Sequence, residues 1–146
     1  MKTILFSSIL ILHSVLSFGQ GNGWEWQNPL PQGNTLNDIF FIDGQTGWAV
    51  GRRGTIIKTT DGGVTWENKS EYSTKVLNAV HFIDLQKGIA VGTGGIVKRT
   101  TDGGETWQET LLGNQTFLNS IAFQGNLIGW IVGQYGRLFK TTDGGI

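Results

Sequence analysis

Three aspartates recur in a Thr-Thr-Asp-Gly-Gly segment and are the first candidates for chemistry. They are Asp61, Asp102 and Asp143, each 41 residues from the next. Carboxylates can act as general acids and bases in glycoside hydrolysis, or as calcium ligands. The alternating acidic ligands of a calcium loop are absent, however. A short acidic side chain in a glycine turn accepts hydrogen bonds from nearby backbone N–H groups, so we expect these aspartates to brace hairpins.

A second candidate group combines arginines with an aromatic residue in two other turns. Its members are Arg52, Arg53, Gln134, Tyr135 and Arg137. Because guanidinium groups bond carboxylate and phosphate in a bidentate manner, a patch of these residues would suit an acidic peptide segment or an acidic sugar. The alternative is that they are solvated turn residues. The sequence predicts no catalytic residue, no metal ligands and no cofactor.

Composition excludes several classes of function. The chain has 146 residues, no cysteine and zero formal net charge. Absence of cysteine excludes disulfides, thiolate metal sites and cysteine nucleophiles. Zero net charge gives no indication of a general nucleic-acid or membrane-surface binder. The 23 glycines and two prolines predict many tight turns between short strands.

Residues 1–19 have the pattern of a signal peptide. Lys2 precedes an apolar stretch over 4–16, and Ser17 and Gly19 place small residues at the −3 and −1 positions of a cut before Gln20. A membrane anchor is the alternative, but the apolar stretch is shorter than the ~20 residues that a spanning helix needs. We therefore expect a secreted or periplasmic protein that has no membrane contact after signal cleavage.

An internal repeat organises the rest of the chain. Leu36-Asn37 returns 41 residues later as Leu77-Asn78 and again as Leu118-Asn119, and the three copies align without gaps. Each copy divides into four short strands, predicted in the first copy at 36–42, 47–50, 55–59 and from Thr65 onward. The first strand is apolar on both faces, so we expect both of its faces to be covered. Short glycine turns favour antiparallel meanders over a parallel solenoid. The fold class is thus all-β, a propeller of four-stranded antiparallel blades.

Meander topology sorts the turns onto two faces. Turns that follow the first and third strands share one face, which carries the aspartates. Turns that follow the second strand share the opposite face with the connections between blades, and the arginines and Tyr135 belong there. Loops of this second face vary among the copies, as expected when loops on a rigid scaffold carry function.

The segment from Thr59 to Trp66 resembles the Asp box of bacterial neuraminidase repeats. The surrounding Leu-Asn-x-Ile-x-Phe, Gly-Trp-Ala-Val-Gly and Gly-x-Ile-x-Lys segments resemble the photosystem II stability/assembly factor family of propellers. The resemblance covers residues 24–146 and implies a structural box, remote from ligands. The residues it assigns to that structural role are Thr59, Asp61, Gly63, Thr65, Trp66, Thr100, Asp102, Gly104, Thr106, Trp107, Thr141, Asp143 and Gly145.

The predicted domains are the signal peptide over 1–19 and a partial propeller over 20–146. The repeats span 36–76, 77–117 and 118–146, and 20–35 holds an orphan fourth strand and a linker. About three blades are present, and propellers normally close with 4–8, so we expect an incomplete ring. The chain is then a fragment, or it assembles with other copies.

Three functions are compatible with these sequence features. The leading one is a noncatalytic scaffold that binds a protein, which the family resemblance would make a photosystem II component in a lumenal compartment of a photosynthetic host. The second is a sialidase-like glycosidase, but the Arg-Ile-Pro segment typical of sialidases is missing. The third is a carbohydrate-binding or adhesion module of a larger cell-surface protein.

Overall fold

The computed structural model describes residues 23–24, 32–113 and 116–145. Apart from three single 3₁₀ turns, the regular elements of this part of the chain are β-strands in three separate antiparallel sheets, which we call blades 1, 2 and 3. Blade 1 contains β1 (Leu36–Phe41), β2 (Gly47–Gly51), β3 (Ile56–Thr59) and β4 (Glu67–Asn68); blade 2 contains β5 (Leu77–Phe82), β6 (Gly88–Gly92), β7 (Ile96–Thr100) and β8 (Gln108–Leu111); blade 3 contains β9 (Leu118–Gln124), β10 (Ile128–Gly133) and β11 (Leu138–Thr141). The all-β, antiparallel, unclosed arrangement that the repeat predicts is confirmed.

Some predictions fall on residues that the structure does not describe. The signal peptide over 1–19 lies outside the described residues, and so does the orphan strand except for Trp24. Within 23–24, 32–113 and 116–145, no helix has the length and apolar character needed to cross a bilayer. Both the signal peptide and the orphan strand stay predictions.

Each blade is a meander in which consecutive strands pair. The 41-residue period extends to the register: Trp48 pairs with Lys58 across β2 and β3, and Trp130 pairs with Lys140 across β10 and β11. Side chains of a strand point alternately to the two faces of the sheet, so each blade has one face toward the preceding blade and one toward the following blade.

Two apolar cores lie between the blades. The first joins blade 1 to blade 2, and its buried members are Trp48, Val50, Ile56, Leu77, Val80, Phe82, Ala90, Ile96 and Trp107. The second joins blade 2 to blade 3 around Ile89, Val91 and Leu118, with Phe123 and Phe139 partly buried against it. Blade 2 is therefore covered on both faces, and all five residues of β6 are buried.

The first strands of the blades are linked by a repeated side-chain hydrogen bond. Nδ2 of Asn37 donates to the Leu77 carbonyl oxygen at 2.8 Å, and Nδ2 of Asn78 donates to the Leu118 carbonyl oxygen at 2.8 Å. This bond explains the recurrence of asparagine, whose side chain reaches the backbone carbonyl of the next blade, whereas Leu77 and Leu118 are themselves buried.

The structure corrects two expectations about the first copy. An apolar pattern on both sides predicts that the first strand is covered on both faces, yet Ile39 is 56% exposed and Phe41 is 39% exposed. No described sheet covers that side of β1. The fourth strand begins at Glu67, not at Thr65, because the backbone N–H of Thr65 is bound by the Asp61 carboxylate and is still part of the turn.

Candidate functional site

The turns that carry the aspartates lie against the turns between the first and second strands. The N–H of Gly62 donates to the Gln45 carbonyl at 2.8 Å, and the N–H of Gly103 donates to the Gln86 carbonyl at 2.8 Å. We call this side the acidic-turn face. It combines the two kinds of turn that meander topology predicts to lie together.

Each aspartate is engaged within its own turn. The Asp61 carboxylate accepts hydrogen bonds from the hydroxyl of Thr59 at 2.8 Å, the backbone N–H of Thr65 at 2.9 Å and the hydroxyl of Thr65 at 2.6 Å. Asp102 has the same three partners in blade 2. In blade 3, Asp143 accepts from the hydroxyl of Thr141 at 2.5 Å.

These hydrogen bonds suit a charged carboxylate and not a proton donor. The hydroxyl and the N–H of Thr65 are the main causes that lower the pKa of Asp61 to about 2, and the equivalent donors of Thr106 lower the pKa of Asp102 to about 2. A carboxyl group of that pKa is ionised at neutral pH and cannot serve as a general acid. Across 23–24, 32–113 and 116–145, no group of three potential ligands could hold a metal ion.

The acidic turn of blade 2 is also fastened to blade 1. Nε1 of Trp48 donates to the Gly103 carbonyl at 3.0 Å. The Glu105 carboxylate forms ion pairs with Lys58 at 2.9 Å and Lys69 at 2.7 Å, and hydrogen bonds from Lys69 and then Lys58 lower the pKa of Glu105. The turn thus stabilises the junction between blades.

At the junction of blades 2 and 3, a different cation occupies the position of Lys58. Arg99 is the counterpart of Lys58, and one of its Nη atoms donates to the Gly145 carbonyl at 2.8 Å. Nothing in a single copy of the repeat indicates that the cation at this position reaches the neighbouring blade.

The opposite side, which we call the connection face, carries the predicted binding residues. Its three turns lie at 52–54, 93–95 and 134–136, and each is hydrogen-bonded to the residue just before the first strand of its blade. The N–H of Arg52 donates to the Thr35 carbonyl at 2.9 Å, and the N–H of Gln134 donates to the Phe117 carbonyl at 2.9 Å. At the preceding Gly51, a Cβ atom would lie 2.0 Å from the Thr35 oxygen, so the backbones can approach this closely only at glycine.

Two candidate residues have a left-handed backbone. Arg53 has φ 57° and Tyr135 has φ 61°, and they are the two described residues other than glycine with positive φ. The second copy of the turn, in blade 2, has Gly94 at this position, where the conformation is free of strain. Strained residues of this kind cluster at functional sites. Alignment with Gly94 is the sequence signal that could have revealed them.

The predicted binding residues do not form one cluster. Arg52 and Arg53 belong to blade 1, whereas Gln134, Tyr135 and Arg137 belong to blade 3, with the turn of blade 2 between them. All five are exposed, and Tyr135 is 88% exposed. They therefore lie at two separate positions along the connection face.

Sequence reasoning missed a cation that lies between these two positions. The ammonium group of Lys75 lies 2.5 Å from the place that a Cβ atom of Gly94 would occupy. The absence of a side chain at Gly94 therefore lets Lys75 lie over the turn of blade 2. Its sequence position, in an irregular connection outside the repeated strands, gave no indication of this.

A carboxylate in the connection between blades 1 and 2 is already paired. The carboxylate of Glu71 binds the ammonium group of Lys98 at 3.0 Å, and Lys98 is only 3% exposed. Glu109 approaches the same ammonium group at 3.7 Å. The connection face therefore presents cations while the neighbouring carboxylates are held by a buried lysine.

A groove of about 550 Å³ lies between blades 2 and 3. Its lining includes Phe123 and Gly145, the counterparts of Phe82 and Gly104. In blade 2 those two residues contact the indole of Trp107. The groove is thus the place that a strand-four tryptophan fills in blade 2.

The chain is similar in sequence to proteins of one known family. The sequence model of the family described as photosynthesis system II assembly factor YCF48 matches residues 19–79 and 71–146. The chain is 39% identical over 66 residues to the chloroplastic photosystem II stability/assembly factor HCF136 of Cyanidioschyzon merolae, covering 44% of this chain and 15% of the relative. It is 45% identical over 49 residues to the photosystem II assembly protein Ycf48 of Thermosynechococcus vestitus, covering 34% and 14%.

Solved structures show the same blades. YCF48 bound to D1 peptide is 34% identical with a TM-score of 0.71, and the match covers 80% of this chain and 40% of that one. YCF48 from Cyanidioschyzon merolae is 30% identical with a TM-score of 0.66, covering 81% and 37%. An ancestral GH74 enzyme is 16% identical with a TM-score of 0.62, a likeness of fold alone. The chain spans less than half the length of each of these relatives.

Proposed function

The chain belongs to the photosynthesis system II assembly factor YCF48 family, and from this premise we propose that it is a noncatalytic propeller segment that binds an acidic, extended polypeptide on its connection face. The relative solved with a D1 peptide supports a polypeptide as the class of partner. Photosystem II itself is the partner only in a photosynthetic host.

The proposal rests on a row of cationic side chains along the connection face, which we call the cationic rim. Arg52 and Arg53 in blade 1, Lys75 beside blade 2 and Arg137 in blade 3 follow one another along the same face. Arginine forks bond carboxylates in a bidentate manner, and an extended peptide can contact several turns in succession. Because Lys98 holds the Glu71 carboxylate, the rim has little internal competition for an acidic ligand.

Tyr135 extends this surface with an aromatic ring. Its side chain is 88% exposed and its backbone is held in the left-handed conformation. Tyrosine is enriched at protein interfaces because it offers apolar area together with a hydroxyl group. The strained backbone presents the ring away from the sheet at the end of the rim.

The absence of catalysis is part of the proposal. Asp61 and Asp102 are bound within separate turns on the other face, and their lowered pKa values are unsuited to acid catalysis. The likeness to an ancestral GH74 enzyme concerns fold alone and supplies no catalytic residue. We also propose export by the signal peptide over 1–19, which would place the protein outside the cytoplasm.

A binding measurement tests the connection face. A fluorescent extended peptide with four glutamates is titrated with the purified chain, and its anisotropy is compared with that of the matched glutamine peptide. We expect the double variant Arg52→Glu and Arg53→Glu to bind the glutamate peptide roughly tenfold or more weakly, since the loss of even one charge-assisted bond of about 1.5 kcal/mol lowers affinity about tenfold.

The matched control is Lys87→Glu, which reverses a charge in the exposed turn after β5, on the acidic-turn face. Its affinity for the glutamate peptide should equal that of the wild type. Equal binding of both peptides, or unchanged binding by the double arginine variant, would remove the cationic rim from the proposal. Turnover of glycoside substrates by the purified chain would contradict the noncatalytic part.

A further inference from the structure

Lys98 is a buried cation at a position that the other two blades fill with apolar residues. It lies in β7 and is 3% exposed, and its counterparts in the repeat are Ile57 of β3 and Phe139 of β11. A blade can therefore be built with an apolar residue at this position. Because the burial of an ammonium group is costly, packing alone does not account for the lysine.

The side chain of Lys98 points toward the connection between blades 1 and 2. Its neighbours serve the following junction, since Val97 packs into the second core and Arg99 binds a backbone carbonyl of blade 3. Side chains of a strand alternate, so Lys98 lies on the face toward blade 1. Its ammonium group binds the carboxylate of Glu71 there at 3.0 Å. A charge in blade 2 thus holds a connection that begins in blade 1.

This connection, over 69–76, packs directly on the turn at 52–54, which carries the two arginines of blade 1. A Cβ atom at Gly54 would lie 2.7 Å from the Cβ atom of Ser73, so turn and connection approach this closely because Gly54 has no side chain. The N–H of Gly54 also donates to the Lys75 carbonyl at 2.8 Å. The place of the turn therefore depends on the connection beside it.

The last part of the same connection carries the next cation of the rim. The ammonium group of Lys75 lies over Gly94, and the residue after it, Val76, exchanges two hydrogen bonds with Thr93. Blade 2 thus holds the connection at its end through backbone bonds and in its course through Lys98. The cations of blade 1 and Lys75 share this one support.

We propose that Lys98 is the positioning residue of the cationic rim. By binding Glu71 it fixes the connection over 69–76, and the connection fixes Lys75 and the turn at 52–54 at the spacing in which they meet an acidic polypeptide. This inference rests on the proposed function and adds a residue that supports binding without touching the ligand, since Lys98 is too deeply buried to reach it.

The chain offers a way to break this ion pair without burying an unpaired charge. The side chain of Glu71 is 62% exposed, so its carboxylate is solvated when the pair is lost. Glu109, the second carboxylate near Lys98, lies at 3.7 Å on β8 of the same blade and directly opposite Lys98 in the sheet. It supplies a matched control, because it neighbours the same lysine but does not belong to the connection.

Lys98→Ile gives blade 2 the residue that blade 1 has at this position. We expect an unchanged or higher free energy of unfolding in urea, because an apolar residue in place of a buried ion pair is often neutral or stabilising. Affinity for the fluorescent glutamate peptide should fall about tenfold, because binding must then order a segment that the ion pair orders in the wild type. A lysine with a merely structural role would not lower affinity while stability is kept.

Glu71→Ala breaks the same pair from the side of the connection, at an exposed position where folding is not at risk. We expect a similar loss of affinity, although this change makes the chain more positive and Lys98→Ile makes it less so. The double variant should bind no more weakly than either single variant, since both act through one contact. Lys98→Arg keeps the charge and should retain affinity within about threefold.

Hydrogen exchange measures the positioning without any ligand. The amide of Gly54 should exchange faster in Lys98→Ile and in Glu71→Ala than in the wild type, because its acceptor is the carbonyl of Lys75 in the loosened connection. Glu109→Ala should leave both this exchange and the peptide affinity unchanged. The amide of Gly103, bound on the acidic-turn face, is the internal reference.

Three results would overturn the inference. They are unchanged exchange of Gly54 in both single variants, wild-type affinity in Glu71→Ala, and recovery of wild-type affinity in the double variant. The last result would mean that a freed Glu71 carboxylate competes with the ligand. A wild type that does not bind the glutamate peptide would contradict the proposed function, and the exchange of Gly54 would still decide whether Lys98 fixes the connection.

Discussion

The indole of Trp48 lies flat on the ring of Phe82, with the two centroids 3.4 Å apart and the planes 8° from parallel. The two residues come from neighbouring blades and are both buried. The same indole donates its N–H to the acidic turn of blade 2. One side chain therefore joins the apolar core and the turn that carries Asp102.

Replacing Trp48 by alanine should strongly destabilise the chain. The change removes the ring contact with Phe82 and leaves the Gly103 carbonyl without its indole donor. We expect the free energy of unfolding to fall by about 3–5 kcal/mol, as for other buried large aromatic residues. Urea denaturation measures this loss of stability, with Tyr72→Ala as the control at an exposed position. A loss below about 1 kcal/mol would contradict the role of this contact.

Asp61→Asn and Asp102→Asn should change how stability depends on acid. The pKa of each carboxyl is about 2 in the folded protein and near 3.8 when unfolded, so its stabilising effect is present above pH 3.8 and is lost as the pH falls toward 2. Melting temperatures measured across this range should fall less steeply in the variants.

The control for the acidic turns is Asp84→Asn. This carboxylate accepts from the backbone N–H groups of Gln86 and Lys87 but has no threonine hydroxyl among its hydrogen-bond donors. The Asp84→Asn substitution removes the same charge as Asp61→Asn does. If Asp84→Asn flattened the acid response as much as Asp61→Asn, net charge and not the turn would be the cause.

His81 should make the chain sensitive to mild acid. Its ring lies between Phe40 at 4.7 Å and Phe123 at 5.3 Å, and burial lowers its pKa below 6.5 while the nearby Asp38 opposes the shift. The folded state then binds fewer protons than the unfolded state, so stability is full above pH 6.5 and declines as the pH falls below it. We expect His81→Phe to remove this decline, as measured by urea denaturation near neutral pH and at about pH 5. Equal declines in both proteins would contradict the prediction.

Arg53→Gly and Tyr135→Gly should separate binding from stability. Glycine accepts φ near +60° without a steric cost, as Gly94 does in the middle turn. We expect unchanged stability, or a gain of up to about 1 kcal/mol, because the relief of strain exceeds the entropy cost of glycine. Thermal unfolding measures this effect, and peptide anisotropy should show weaker binding. A clear loss of stability would mean that the side chains support the fold.

The repeat in the sequence was sufficient to predict the blades. The second strand, predicted at 47–50, is observed as Gly47–Gly51, and the third, predicted at 55–59, as Ile56–Thr59. Turn assignment to the two faces also follows from the meander, because antiparallel strands reverse direction at each turn. Strands and turns are therefore predictable from local patterns, namely the alternation of apolar and polar residues and the positions of the glycine turns.

Contacts between blades were not predictable from the same patterns. The Trp48–Gly103 hydrogen bond joins residues 55 apart in sequence, and the pairing of Lys98 with Glu71 depends on an irregular connection. Burial of Lys98 within a strand is compensated by two carboxylates that lie outside that strand. The period of the repeat locates a strand but does not show which side chains meet across the gap.

Burial along the first strands sets an order in which the blades should open. All but two residues of β5 are buried, whereas β1 has none and β9 has one. In arrays where each unit contacts only its neighbours, a unit held from both sides is the last to separate. Backbone amides of β5 should therefore exchange with deuterium more slowly than those of β1 and β9, and the molecule should fray from its flanks inward.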